Sequence, residues 1–103
     1  MNKFVKDTEP FIRGLSEVLR DEPQKCPRDF QVLIAPPATH LITMRSAIGS
    51  EPIFLCAQNC GQARFGAFTG ETSPAVLKEI GCDWVILGHS ERRHVYLEND
   101  ERI

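Results

Sequence analysis

Nowhere in this chain is there an apolar run approaching the roughly 20 residues that a membrane-crossing helix needs, so no span is expected. The opening residues, MNKFVKDTEP, hold no apolar segment of the kind that begins a secretory signal, and secretion is not expected either. Charge of one sign is also lacking. Twelve Lys and Arg stand against fourteen Asp and Glu, for a formal charge of -2. That balance offers no broad electrostatic reason to hold nucleic acid or anionic lipid. The four cysteines, Cys26, Cys56, Cys60 and Cys82, form no C-x-x-C pair, and their spacing is wrong for zinc. Cys56 and Cys82 lie in apolar runs. They read as small buried hydrophobes in a reducing compartment, the cytoplasm.

What remains is an ordinary globular composition. The chain has 103 residues, 42% apolar and 25% charged, which suits one small domain. Helix and strand signals alternate along it. Phe11, Leu15, Val18 and Leu19 recur at helical spacing, so residues 8–20 are expected as an amphipathic helix capped by Asp7 or Thr8. Residues 23–28 are polar, with two prolines, and are expected as a loop. FQVLIA at 30–35 is a short apolar strand stopped by Pro36 and Pro37. Residues 39–48 form a second helix with Leu41, Ile42, Ala47 and Ile48 toward the core and Gly49 past its end. IFLCA at 53–57 is a second strand, and residues 58–72 are a long polar loop. Ser73 caps a third helix, with Pro74 at its first position and Gly81 at its stop. A third strand covers 84–87. Asn99 and Asp100 are expected to open one more helix.

The strands are apolar throughout instead of alternating. That pattern belongs to a parallel sheet covered by helices on both faces. A flavodoxin-like binding domain would share it. Such a domain needs a Gly-rich phosphate loop after its first strand, where this chain has Pro36 and Pro37.

The most informative segment is WVILGHSERRHVYLENDE, residues 84–101. It sets His89 at the carboxyl end of a buried strand, where chemistry gathers in α/β proteins. Ser90 is expected to cap a short turn at residues 91–93, whose free N–H groups disfavour imidazolium. A neutral ring there can donate a hydrogen bond to a carbonyl. On position alone two readings stand, an electrophile and a histidine satisfied by its neighbours. Glu91 has two readings likewise, a site carboxylate and a solvated first-turn glutamate. Arg92 and Arg93 read by themselves as a charged helix surface, and His94 as structural. Phe65 and Phe68 place large apolar groups on the long loop, which need cover. A packed surface loop is the other reading.

GHSERR at 88–93 resembles the signature of the triosephosphate isomerase family. The resemblance continues through MN at 1–2, IAPP at 34–37, AQNC at 57–60, GAFTGETSP at 66–74 and GCDWVILGHSERR at 81–93, in the family's order. It implies part of a (β/α)8 barrel, about three strands of a parallel sheet with flanking helices. It implies an isomerase that interconverts dihydroxyacetone phosphate and glyceraldehyde 3-phosphate without cofactor. His89 then matches the family's electrophile, and Glu91 a buried carboxylate beside it. Phe68, Thr69, Gly70 and Glu71 match the loop that enters a partner subunit of a homodimer. The segment with Arg92 and Arg93 matches one that joins ion pairs at the interface and around the site, and Glu98 matches a glutamate in a buried, water-linked network near the interface.

The resemblance also carries departures. No residue of this sequence matches the family's lysine, its glutamate base or its phosphate loops, and Met1 falls on a methionine that is internal in the family. The 103 residues are therefore expected to form the N-terminal part of one barrel domain, incomplete at both ends. They are expected to be inactive and loosely folded alone. Leu97 stands where the family commonly has glycine and Asn99 where it has serine or threonine, which puts the local loop geometry in question. A non-catalytic piece that binds a complete subunit through residues 65–72 is the rival expectation.

Overall fold

The computed structural model describes residues 3–21 and 30–103. The expected loop at 23–28 and Cys26 lie outside those residues.

A short 3-10 turn at Val5–Asp7 runs directly into helix α1, Thr8–Asp21. Asp7 and Thr8 are therefore inside helical backbone, and neither is the N-cap of α1. Asp7 instead reaches back, its Oδ2 accepting the Phe4 N–H at 3.0 Å. After α1 come strand β1 (Val32–Ile34), a 3-10 turn at Ala38–His40, helix α2 (Leu41–Ile48) and strand β2 (Ile53–Ala57). Helix α3 (Pro74–Ile80), strand β3 (Trp84–Val85) and helix α4 (Ser90–His94) complete the order. The expected last helix is a single turn, in which the Asn99 carbonyl and side-chain oxygen accept the Arg102 N–H at 3.0 and 3.2 Å.

The sheet is parallel and follows sequence order, β1-β2-β3, with Val32 opposite Ile53 and Cys56 opposite Trp84. Parallel neighbours need a crossover, and α2 and α3 supply the two. Both outer strands are shorter than their apolar runs. β1 finds no partner before Ile53, where β2 begins. On the other edge the Ile86 N–H bonds the Ala57 carbonyl at 2.8 Å, and β2 then leaves the sheet.

The core lies between the sheet and α1, α2 and α3. Ile12, Leu41, Met44, Ile48, Ile53, Leu55, Ala57, Leu77 and Cys82 form one buried cluster, and Leu55 is wholly inaccessible. Two helix faces are turned from the expectation. In α1 the buried positions are Thr8, Ile12 and Ser16, while Phe11 and Val18 are exposed. α1 packs against α2, and its small Thr8 and Ser16 side chains are buried. In α2, Met44 is buried in place of Ile42, which faces solvent.

The expectation that every strand is buried on both faces holds for β2 and fails for β3. Trp84 is 50% exposed, and Val85, Ile86 and Leu87 are exposed as well. Side chains alternate along a strand, so Leu33 and Trp84 stand on the face opposite the helices, and both are open. Three strands make an arc whose inner face nothing described fills. The molecule measures 45 × 24 × 24 Å, with a radius of gyration of 15.3 Å. A compact domain of this length would have about 13 Å.

Candidate active site

The site forms where β3 turns into α4. Gly88, shortly after β3, has φ of +61°, a left-handed value that a side chain would strain. His89 returns to extended backbone and is itself the N-cap of α4. The expected cap, Ser90, is already the first helical residue. The His89 Nδ1 accepts the Glu91 N–H at 3.2 Å. A ring nitrogen that accepts carries no proton, so in this arrangement the imidazole is neutral with its N–H at Nε2. The Glu91 carboxylate stands 3.8 Å from the same nitrogen.

Glu91 does not match the buried carboxylate expected of it. Its side chain is 79% exposed. It lies on the first turn of a helix none of whose residues is buried. His94 is exposed on the same helix.

His89 and Glu91 line a cavity of about 340 Å³ with Gln58, Asn59, Ile86, Arg92 and Tyr96. Gln58 and Asn59 received no role from the sequence beyond opening the polar loop. Their signal was their place, directly after the carboxyl end of β2 and so beside the end of β3. Gln58 donates through Nε2 to the Ala35 carbonyl at 2.8 Å, which ties the rim of β1 to that of β2. Tyr96 was also missed, and the Arg92 guanidinium lies 4.6 Å from its ring centre. His40 had no assignment either. It is buried, with Nε2 3.0 Å from the Lys3 carbonyl and Nδ1 2.9 Å from the Thr39 hydroxyl.

A second groove, about 360 Å³, brings together four of the six residues read as interface: Phe68, Glu71, Arg92 and Glu98. Gly70 lines an adjoining cavity instead, and Thr69 is exposed on the loop. Arg92 donates through Nε to Glu98 Oε1 at 3.1 Å and through Nη2 to the same oxygen. That hydrogen bond holds the Glu98 carboxyl below its ordinary range and raises the Arg92 guanidinium. Burial, helped by nearby Glu71, pushes the Cys60 thiol up. The long loop is pinched at its base, where the Gly61 N–H meets the Thr72 carbonyl at 2.8 Å and the Ser73 hydroxyl meets the Arg64 carbonyl at 2.6 Å. Phe65 and Phe68 remain exposed at its end. Among the described residues no group of three or more His, Cys, Asp or Glu could hold a metal ion.

A parallel sheet in sequential order, helices between its strands, and a histidine with polar side chains at the strands' carboxyl ends define an α/β-barrel type of protein. The family model described as triosephosphate isomerase matches residues 1–103. Triosephosphate isomerase of Aquifex aeolicus (strain VF5) is 43% identical over 103 residues, which are 100% of this chain and 40% of that protein. The chain belongs to the triosephosphate isomerase family and spans two fifths of the length of that relative. No helix among the described residues is long and apolar enough to cross a membrane.

Proposed function

We propose that these residues form the N-terminal part of a single barrel domain of an aldose–ketose isomerase acting on phosphorylated trioses, and that His89 is its electrophile. The observation that carries this is the hydrogen bond from the Glu91 N–H to Nδ1. It leaves Nε2–H as the ring's only donor. As a proton leaves the carbon beside the substrate carbonyl, electron density moves onto the carbonyl oxygen, and a neutral donor stabilises that oxygen without giving up its own charge state. Gln58 and Asn59 supply further polar atoms along the same cavity. In this reading Glu91 supports the site from its edge.

The base that takes the carbon proton matches none of the 103 residues. As a separate polypeptide they do not turn over substrate, since an electrophile without its base moves no proton. No cofactor enters the reaction. The complete enzyme is a homodimer of the cytoplasm, with Phe68, Thr69, Gly70, Glu71, Arg92 and Glu98 at its interface. Support for the interface is that Phe68, Glu71, Arg92 and Glu98 line one groove beside the exposed Phe65.

The test is a graft in which these residues replace the corresponding two fifths of the Aquifex aeolicus enzyme. The graft is expected to isomerise triose phosphate in a coupled assay. His89→Gln lowers its kcat by about 100-fold or more, the usual size of a lost polarising or acid–base group. A His89→Gln graft as active as its parent overturns the reading.

A further inference from the structure

One side chain near His89 has no part in the chemistry just described, yet it holds the backbone immediately before that residue. The Arg93 Nε donates to the Gly88 carbonyl at 2.8 Å, and the Arg93 backbone N–H donates to the His89 carbonyl at 3.1 Å. These two carbonyls belong to the peptide planes before and after the His89 Cα. Together they define its φ and ψ. The outer end of the guanidinium is fastened in turn, Nη1 donating to Asp100 Oδ1 at 2.6 Å. Gly88 makes room for this arrangement. A Cβ there would lie 2.7 Å from Arg93 Nη2 and 3.0 Å from Ile103 Cδ1.

We propose that Arg93 is a positioning residue for His89. Its guanidinium fixes the peptide plane before His89, the plane after it being held by the backbone of α4, and so sets where the imidazole lies over the cavity and which nitrogen meets the Glu91 N–H. The inference rests on His89 being the electrophile, and it goes beyond the reading of Arg93 as a charged surface. A charged donor binds a carbonyl more firmly than a neutral one. The guanidinium fork can hold the Gly88 carbonyl and Asp100 at once, which an ammonium cannot do in the same plane. The Arg93–Asp100 pair itself is exposed and contributes little. The bond to Gly88 is the one that acts.

The experiment uses the graft with 15N-labelled histidine. Arg93→Met keeps the aliphatic stem and removes the donors. Its kcat falls about tenfold with KM unchanged, as expected when a reacting group is displaced and substrate binding is not. The His89 ring resonances move from a single tautomer toward an average of two. Arg93→Lys, which still donates to one carbonyl, recovers at least about half of the lost kcat, and Asp100→Asn changes kcat by less than about twofold. If Arg93→Met does not fold, Arg93→Gln carries the comparison, since its shorter stem withdraws the donor from Gly88. Parental kcat and parental ring resonances in either variant overturn the proposal. So does a lower kcat with unchanged ring resonances. An inactive graft, or one indifferent to His89→Gln, counts against the proposed function alone, because the ring resonances still report what Arg93 does.

Discussion

Strands β2 and β3 lie side by side and have opposite characters. β2 is enclosed, with Ile53, Leu55, Cys56 and Ala57 all buried, and it joins the sheet to the helices. β3 pairs through only two residues, and both are exposed. The packed core lies at the first, and the proposed site follows the second. A strand with few neighbours can be followed closely by a left-handed glycine, Gly88, and by a residue, His89, that serves as a helix cap. An enclosed strand cannot do so without breaking the core. Regions of low local stability are commonly where binding and catalysis are found.

The largest expected effect breaks that contrast from the β2 side. Leu55→Ala removes a side chain with no exposure at the centre of the cluster. The cost should be about 3 kcal/mol, within the range for buried leucines. Urea unfolding of the graft measures it. Trp84→Ala supplies the other arm. In the separate 103 residues the half-exposed indole leaves little packing to lose, and amide exchange of β2 should be unchanged. In the graft, where further strands can cover the same face, Trp84→Ala should destabilise by more than about 1 kcal/mol. Equal costs in both settings would mean that the inner face is not an interface with the rest of a barrel.

Next in size is a pH effect confined to the β3 side. Arg92 holds the Glu98 carboxyl below its usual range in the folded chain. A carboxyl depressed on folding stabilises at all pH values above its unfolded pKa. That contribution is lost as pH falls through the lower folded value. Stability of the graft should therefore decline on acidification below the ordinary glutamate range, and Glu98→Gln should flatten the decline. The Arg92 guanidinium, raised by the same bond, stays charged throughout. A Glu98→Gln graft whose urea midpoint falls with acid as steeply as its parent's would show that the pair does not act.

The parts of the structure written in neighbouring residues were legible in the sequence. Ser73 accepts the Ala75 N–H, Pro74 opens α3, and Gly81 closes it at φ +93°, as the cap signals indicated. β2 has its expected bounds because its apolar run fits one partner on each side. What depends on distant partners was not legible. Apolar residues in β3 look the same in sequence whether or not another strand covers them. Glu91 was expected to be buried because family members bury theirs, but burial needs something packed over α4. The cap of α4 was assigned to Ser90 because serine is a common cap and histidine a rare one. Only the fold shows that the His89 ring reaches the Glu91 N–H. The cavity's Gln58 and Asn59 come next to His89 because parallel pairing sets the ends of β2 and β3 together, a relation across thirty residues of chain.

The smallest effect concerns the segment between Arg92 and Glu98, which carries the only non-glycine residue with positive φ among those described. Leu97 sits at φ +58° and is 77% exposed, so no packing compensates the strain. A left-handed conformation costs a side-chain-bearing residue about 1–2 kcal/mol. Glycine removes that cost but loses more entropy on folding, about 0.5–1 kcal/mol. Leu97→Gly should therefore stabilise by about 0.5 kcal/mol, read as a small rise in the urea midpoint of the graft. Its value lies in the sign. Leu97 is where the sequence departs from the glycine common in the family, and the fold keeps the backbone angle that glycine would favour. If Leu97→Gly destabilises, the leucine side chain is packed in the complete protein, and the β3 side of the molecule is less open than its exposure in these 103 residues implies.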